Sequence, residues 1–310
     1  MGYEVKSRMA NLFVVGAAKA GTTSLCSALA QHPEIFFPAE KEPHFFVFPS
    51  DGTLTGLNLG VAAAGLPLER SRFVKDLEEY NRLYRAGAQS RFRGDGSTQY
   101  LVSECASRQI YGAVPDARIL IQLREPLARA WSAYCYAVSK GDETETFRAA
   151  LEEEINGLRR DRFYGGYLNS SVYGKHVSRF LELFGAERVQ ITFFEEFIKR
   201  PKATLDCLVD RLGLERFAWS PQDRANPTVV FANPVLRAVR TTGSKLAARH
   251  AWFRRFPHAK RMHSLLLGLG HRPPQGPSTE DAGLFRDLLW EQAMRTPLAS
   301  IIGAHPYEGV

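Results

Sequence analysis

The sequence has few cysteines and no long apolar run. Of its 310 residues only four are cysteine, Cys26, Cys105, Cys135 and Cys207, and no two of them form a C-x-x-C pair. This spacing excludes a disulfide framework and a cysteine-rich zinc site, and it indicates separate thiols in a reducing compartment. No apolar stretch approaches the ~18 residues that a membrane-spanning helix needs. We therefore expect a cytoplasmic protein without a membrane span.

Acidic residues are missing from one long stretch. Between Arg224 and Ser278 there is no Asp or Glu but there are ten Lys or Arg, and the whole chain carries a formal charge of +7. A stretch of this kind binds anions or forms a solvated face, and the composition leaves both open. It lacks the regularly placed aromatic residues of a platform for single-stranded nucleic acid, so no nucleic-acid partner is expected.

A glycine-rich loop near the start lacks a lysine at the usual place. The stretch "VVGAAKAGTTSL", residues 14–25, leads from an apolar strand through Gly16 and Gly21 into a helix. Loops that bind nucleoside triphosphates have a lysine directly after the second glycine. Here Thr22 stands at that position, and the lysine is Lys19, inside the turn. The free N–H groups at such a helix start still predict binding of a phosphate or a similar anion.

Apolar runs alternate between strand and helix patterns over most of the chain. They predict strands at 12–16, at 119–123 and within "RVQITFFEEF", 188–197, where Val189, Ile191 and Phe193 alternate. They predict helices at 22–31, 73–86, 127–138, 144–160, 172–184 and 204–212. Such alternation predicts an α/β fold, with a P-loop-like central parallel sheet flanked by helices on both faces. Residues 11–214 should form the core with the cofactor site. Residues 215–310 should form a mostly helical, basic region of the same single domain, 1–310, with a helix at 282–294.

A second basic position follows the second predicted strand. The stretch "REPLARAWSAY" places Arg124 at the carboxyl end of this strand and Ser132 about two turns into the next helix. Because a guanidinium binds phosphate in a bidentate manner, a second phosphate site beside the first suggests a nucleotide with two phosphorylated positions. The structural alternative is an ion pair of Arg124 with Glu125 or Asp116.

The same stretch bears on the type of group transferred. Kinases hold Mg²⁺ with an acidic residue at a strand end, whereas this strand ends in Arg124. A sulfuryl group carries less charge than a phosphoryl group and can be transferred without a divalent ion, so no metal site is expected. The transfer does need a cation at the leaving phosphate oxygen, and Lys19 is placed for that.

These segments resemble a known family. The stretches "FVVGAAKAGTTSL", "KEPHFF" and "RILIQLREPLARAWSAY" are similar, over roughly residues 11–214, to sulfotransferases that use 3′-phosphoadenylyl sulfate (PAPS). The similarity is greatest to the branch of heparan-sulfate O-sulfotransferases and their bacterial homologues. It implies in-line transfer of a sulfuryl group from PAPS to a hydroxyl of a glycan or of a bacterial secondary metabolite, with release of 3′-phosphoadenosine 5′-phosphate (PAP).

The resemblance also implies roles for individual residues. Lys19 would contact the phosphosulfate, and Glu42 would be the general base, with His44 tuning it or acting as the base itself. The expected cofactor-binding residues are Ala18, Lys19, Ala20, Gly21, Thr22, Thr23, Ser24, Arg124, Ser132 and Tyr173. Ser97 and Tyr100, in "GDGSTQYL", resemble a substrate-side segment. The structural alternatives are a solvated charge for Glu42 and a packed core histidine for His44.

Two other functions stay open at this point. One is a nucleotide kinase with a divergent P-loop, and the other is a non-enzymatic module that binds anions through residues 224–272. The basic loop with Gly-Arg that many relatives close over the 3′-phosphate is not evident, and Arg224, Arg237 and Arg240 are candidates to replace it. The expected partner is a small-molecule or glycan hydroxyl acceptor, and a homodimer stays open.

Overall fold

The centre of the fold is a parallel five-stranded sheet. The computed structural model describes residues 9–47, 74, 76–140, 142–159, 166–221, 230–231, 271–272 and 276–294. The strands are β1 (Leu12–Gly16), β2 (Ile35–Phe36), β3 (Phe92–Asp95), β4 (Arg118–Leu123) and β5 (Val189–Phe193). Their order is β2-β3-β1-β4-β5, and all neighbours pair in parallel. The chain thus places β2 and β3 on one side of β1, and then crosses over to place β4 and β5 on the other side. This change of direction creates a topological switch point between β1 and β4.

Helices cover both faces of this sheet. Those described are α1 (Thr22–Leu29), α2 (Leu77–Leu83), α3 (Ala106–Ala113), α4 (Pro126–Lys140), α5 (Phe147–Ile155), α6 (Tyr173–Phe184), α7 (Phe194–Lys199), α8 (Pro201–Arg211) and α9 (Thr279–Met294). In this part of the chain, none is long and apolar enough to cross a membrane.

The residues of β1 alternate between two apolar clusters. Phe13 and Val15 pack into a cluster that α2, α3 and α6 cover. Leu12 and Val14 pack into a second cluster, which α1, α7 and α8 cover. Because successive side chains of a strand point to opposite faces, a strand that is buried on both sides reads as a continuous apolar run. The predicted parallel sheet with helices on both faces is therefore confirmed.

Some predicted boundaries differ from those of the structure. Strand β3 has the sequence "FRGD", too short and too polar to show a strand pattern, and the sequence did not predict it. Helix α5 begins at Phe147, three residues after the predicted start. The reason is that the Thr146 hydroxyl accepts the N–H of Ala149, at 3.2 Å, and so caps the helix there.

The C-terminal part adds a helix and a small hairpin. Phe285 of α9 is fully buried against α4 and α5. Strands β6 (Val230–Phe231) and β7 (His271–Arg272) pair antiparallel, and β6 lies against α4. Most of the basic stretch 224–278 lies outside the described residues, and so do Arg224, Arg237 and Arg240.

Candidate active site

The glycine-rich loop connects the carboxyl end of β1 to the start of α1. Gly21 precedes the helix in the left-handed region, with φ of 79°. A Cβ atom at Gly21 would lie 2.6 Å from the Phe194 ring, so a side chain has no room there. Helix α1 has no acidic residue in its first turn and no side-chain cap among the described residues. This helix start therefore presents N–H groups and a positive dipole end to an anion.

Lys19 lies inside this loop and faces α4. Its φ of 70° is left-handed, which non-glycine residues seldom adopt. The ammonium lies 4.1 Å from the centre of the Tyr136 ring, and the carbonyl of Lys19 accepts a hydrogen bond from Arg124 Nη1 at 3.0 Å. The loop is fixed further by Gln122, whose Nε2 donates to the Ala20 carbonyl at 2.5 Å.

Arg124 stands at the carboxyl end of β4, beside the loop. Its guanidinium lies over the Phe194 ring at 4.8 Å, and its Nε is buried with no hydrogen-bond partner among the described residues. The alternative ion pairs are not formed there. The Glu125 carboxylate accepts the first N–H groups of α4, and Asp116 lies 3.9 Å from Arg188. A buried N–H without a partner is costly, so this position fits an anionic ligand.

Two further residues were predicted to bind the cofactor together with Arg124. Tyr173 begins α6, and its hydroxyl donates to the Arg124 carbonyl at 2.7 Å. Ser132 is buried on α4, the helix that starts directly after the arginine and its neighbour. The structure therefore brings Tyr173 to Arg124 and fixes the main chain that carries the guanidinium.

Glu42 and His44 form a pair between β2 and a short 3₁₀ turn, Phe45–Val47. Glu42 Oε2 lies 3.4 Å from His44 Nε2 and accepts from the Thr98 hydroxyl at 3.3 Å, while Oε1 lies 3.0 Å from Lys41 Nζ. Burial of Glu42 raises its pKa, but the hydrogen bond from His44 and the charge of Lys41 outweigh this and lower the pKa to about 2.

The backbone is unusual at these candidate catalytic positions. In the described part of the chain, the non-glycine residues with positive φ are Lys19, Glu42 and His44, with values of 70°, 58° and 53°. Each such residue costs about 1–3 kcal/mol and persists only where its surroundings enforce it. Strain of this kind clusters at active sites, which supports a functional role for these three residues.

Comparisons with known proteins show the family of the chain. A sequence model of the sulfotransferase family matches residues 11–220. The solved structure of a sulfotransferase from Alicyclobacillus acidocaldarius is similar to the chain, with 32% sequence identity and a TM-score of 0.59, over 81% of this chain and 98% of that one. The chain belongs to the sulfotransferase family.

Other relatives of this sulfotransferase are animal enzymes. Heparan sulfate glucosamine 3-O-sulfotransferase 6 of Mus musculus is 24% identical over 77% of this chain, and 3-O-sulfotransferase 3A1 of Homo sapiens is 24% identical over 74%. The matches cover 61% and 50% of the length of these two relatives. This membership does not favour the kinase that the sequence left open.

Ser97 and Tyr100 take positions that differ from the expected one. Both are fully buried, and both hydroxyls donate to the Asp95 carboxylate, at 2.6 Å and 2.8 Å. Their side chains therefore face the interior rather than a surface that a substrate could reach. The structure assigns them a supporting position behind Glu42 and His44.

Lys41 is a site residue that the sequence did not single out. Its ammonium forms an ion pair with Glu42 and also donates to the Thr23 hydroxyl at 2.5 Å. Lys41 therefore connects the start of α1 with the candidate base. The sequence feature that could have identified Lys41 is its place directly before Glu42 in "KEPHFF". Its second partner lies 18 residues away, and only the fold brings the two together.

Proposed function

We propose that this sulfotransferase moves a sulfuryl group from PAPS to an acceptor hydroxyl and releases PAP. The observation that carries the proposal is the hydrogen bond from Arg124 Nη1 to the Lys19 carbonyl, at 3.0 Å. It holds two basic positions together at the carboxyl ends of adjacent strands, where ligands of parallel sheets bind. A nucleotide that carries both a 3′-phosphate and a 5′-phosphosulfate suits such a pair.

The residues present fit this donor. Residues 18–24, at the start of α1, would hold the 5′-phosphate through main-chain N–H groups and hydroxyls. Arg124 would hold the 3′-phosphate, since its buried Nε lacks a partner among the described residues. Ser132 and Tyr173 would complete that side of the site. When bound, PAPS supplies the activated sulfuryl group and a phosphate as its leaving group.

The catalytic work falls to two charged groups of the chain. The Lys19 ammonium would stabilise the negative charge that develops on the departing oxygen, an interaction that is strongest in the transition state. The Glu42 carboxylate would accept the proton of the acceptor hydroxyl, because this proton becomes acidic as the oxygen bonds to sulfur. Transfer of one sulfuryl group then produces one sulfate ester, PAP and one proton.

We assign the base to Glu42 and an orienting role to His44. The side chain of Glu42 is 19% exposed, whereas that of His44 is 5% exposed. An incoming hydroxyl can therefore reach the carboxylate more readily than the imidazole. His44 Nε2, near Oε2, would keep the carboxylate in place.

The acceptor is proposed only as a class, a hydroxyl of a glycan or of a secondary metabolite. The names of the animal relatives refer to a glucosamine of heparan sulfate, which supports a glycan acceptor. A cytoplasmic location and bacterial secondary metabolism remain predictions from the sequence.

Calorimetry with PAP and a transfer assay with labelled PAPS test the proposal. We expect Arg124→Ala to weaken PAP binding about 10- to 100-fold, because a charged hydrogen-bond partner is lost. Lys19→Ala should lower kcat more than it lowers affinity. Arg188→Ala, a partly exposed arginine near Asp116, is the control.

Metal removal is part of the same test. We expect transfer from PAPS to continue in the presence of EDTA. If PAP does not bind, or if the protein instead turns over ATP only with Mg²⁺, the proposed function is wrong.

A further inference from the structure

A buried carboxylate lies behind the candidate base and has no part in the proposed chemistry. Asp95, at the end of β3, is fully buried. Its Oδ1 accepts from the N–H and the hydroxyl of Ser97, at 3.0 Å and 2.6 Å, and its Oδ2 accepts from the hydroxyls of Tyr80 and Tyr100, both at 2.8 Å. Within the described residues, no lysine or arginine forms an ion pair with it, so hydroxyl and N–H donors alone satisfy the carboxylate.

Two of these donors lead on to the segment that carries Glu42 and His44. The Ser97 hydroxyl accepts the main-chain N–H of His44 at 2.9 Å, and the Tyr100 hydroxyl accepts that of Phe46 at 3.4 Å. Each hydroxyl has one proton, which it donates to Asp95, so its lone pairs are turned toward the N–H groups. The carboxylate therefore fixes the direction of both acceptors.

The segment that these bonds hold is the strained one. Glu42 and His44 have left-handed φ values of 58° and 53°, and such a backbone relaxes unless nearby groups enforce it. Thr98, from the same stretch as Ser97, also donates its hydroxyl to the Glu42 carboxylate. Side chains of the stretch 95–100 thus contact both the main chain of this segment and the side chain of Glu42.

We propose that Asp95 is a positioning residue for the base, which acts through the hydroxyls of Ser97 and Tyr100 on the main chain at His44 and Phe46. The inference rests on the proposed function of Glu42. Asp95 touches neither the acceptor nor the nucleotide. It keeps the carboxylate of Glu42 at the place where the acceptor hydroxyl must lose its proton.

Two tyrosines give a matched pair of variants for the test. Tyr80→Phe and Tyr100→Phe each remove one hydroxyl from the same Asp95 oxygen, at the same distance. The Tyr80 hydroxyl otherwise meets only that of Tyr84 among the described residues, at 3.4 Å, whereas the Tyr100 hydroxyl also holds the main chain of Phe46. Both variants keep the aromatic ring, so packing is conserved.

We expect Tyr100→Phe and Ser97→Ala to lower kcat roughly 10- to 100-fold with little change in the PAPS KM or in PAP affinity, because a small displacement of the base slows transfer. Ser97→Thr, which keeps the hydroxyl, should restore part of the rate. Tyr80→Phe should retain nearly the full kcat. Equal losses for the two tyrosine variants, or a normal kcat for Ser97→Ala, would overturn the proposal.

A second measurement does not depend on the reaction. The three-bond coupling between the amide proton and Hα of His44 reports its φ in labelled protein. We expect this coupling to change in Ser97→Ala and to stay constant in Tyr80→Phe. An unchanged coupling in Ser97→Ala contradicts the positioning role, even if the protein proves to transfer no sulfuryl group. Failure of PAP binding in the wild-type protein would instead contradict the proposed function.

Discussion

Glu42 shows how neighbouring groups set the protonation state of a single residue. Its pKa of about 2 in the folded protein lies below the ordinary value of 4.5. A carboxyl with a lowered pKa stabilises the fold at pH values above the unfolded pKa, and this contribution is lost as the pH falls toward 2. At neutral pH the carboxylate is ionised and can accept a proton.

Replacement of this carboxylate should affect chemistry rather than binding. We expect Glu42→Gln to lower kcat about 10²- to 10⁴-fold, the usual contribution of a general base, while the Kd for PAP stays constant. Steady-state kinetics and calorimetry measure the two effects. Glu78→Gln, a change to an exposed carboxylate on α2, is the control. Near-normal turnover in Glu42→Gln would transfer the role of the base to His44.

Lys41 should control the acidity of Glu42. Because its charge favours the carboxylate form, Lys41→Met should raise the pKa of Glu42 and move the acid limb of the kcat profile to higher pH. Lys41→Arg should keep the limb near its original position. A profile in Lys41→Met that matches the wild type would show that His44 alone sets this pKa.

The residues that the sequence identified lie in contiguous motifs. Lys19, Glu42 and Arg124 were predicted because each stands at a fixed place in a short pattern. Lys41 and Gln122 were not assigned to the site, since their contacts to the start of α1 and to the glycine-rich loop span 18 and 102 residues, respectively. Roles that depend on such distant contacts become visible only when the sheet has placed β1, β3 and β4 side by side.

A buried ion pair connects the two ends of helix α5. Arg159 Nη1 donates to Glu143 Oε2 at 2.5 Å, with side-chain exposures of 0% and 1%, and Glu143 also accepts from the Tyr167 hydroxyl. These two residues flank the helix on either side. The pair therefore closes the turn before α5 onto the turn after it.

Removal of this guanidinium should be costly. We expect Arg159→Met to lower the free energy of unfolding by about 3–5 kcal/mol, because Glu143 would remain buried without its cation. Urea denaturation measures the loss. Arg148→Met is the comparison: that arginine is 41% exposed beside Glu280 and Asp281, so its removal should cost about 1 kcal/mol or less. Similar losses for both variants would contradict the structural role of the buried pair.

Elements with a clear periodic pattern were predicted best. Strand β1 has the predicted bounds, and β4 extends the predicted run by one residue. Strand β5 covers the alternating part of its predicted stretch and ends where α7 begins. Strand β3 was missed since its short sequence contains Arg93, Gly94 and Asp95, which are depleted in strands or neutral. Pairing with β1, not local preference, makes this segment a strand.

For the whole molecule, the packing of α9 against the earlier helices bears on whether the chain forms a single domain. Phe285 is fully buried with Phe147 and Tyr167, although more than 100 residues separate it from them in sequence. Single-domain organisation over 1–310 stays a prediction, since much of the segment between α8 and α9 lies outside the described residues.

Phe285 provides the test of this prediction. We expect Phe285→Ala to lower the global free energy of unfolding by about 3–5 kcal/mol in one cooperative transition, as for an aromatic residue of a shared core. Trp290→Ala, at a position 69% exposed on the same helix, should change it little. Two separate transitions in the wild-type protein would show that α9 belongs to an independent unit.

The ring of Phe194 lies between the two ends of the proposed nucleotide site. It closes against Gly21 at the start of α1 and lies under the guanidinium of Arg124. If the site binds the donor as proposed, a smaller side chain there would change the distance between the two proposed phosphate-binding positions. The proposed preference for a nucleotide of one length would thus depend on the width of one aromatic ring.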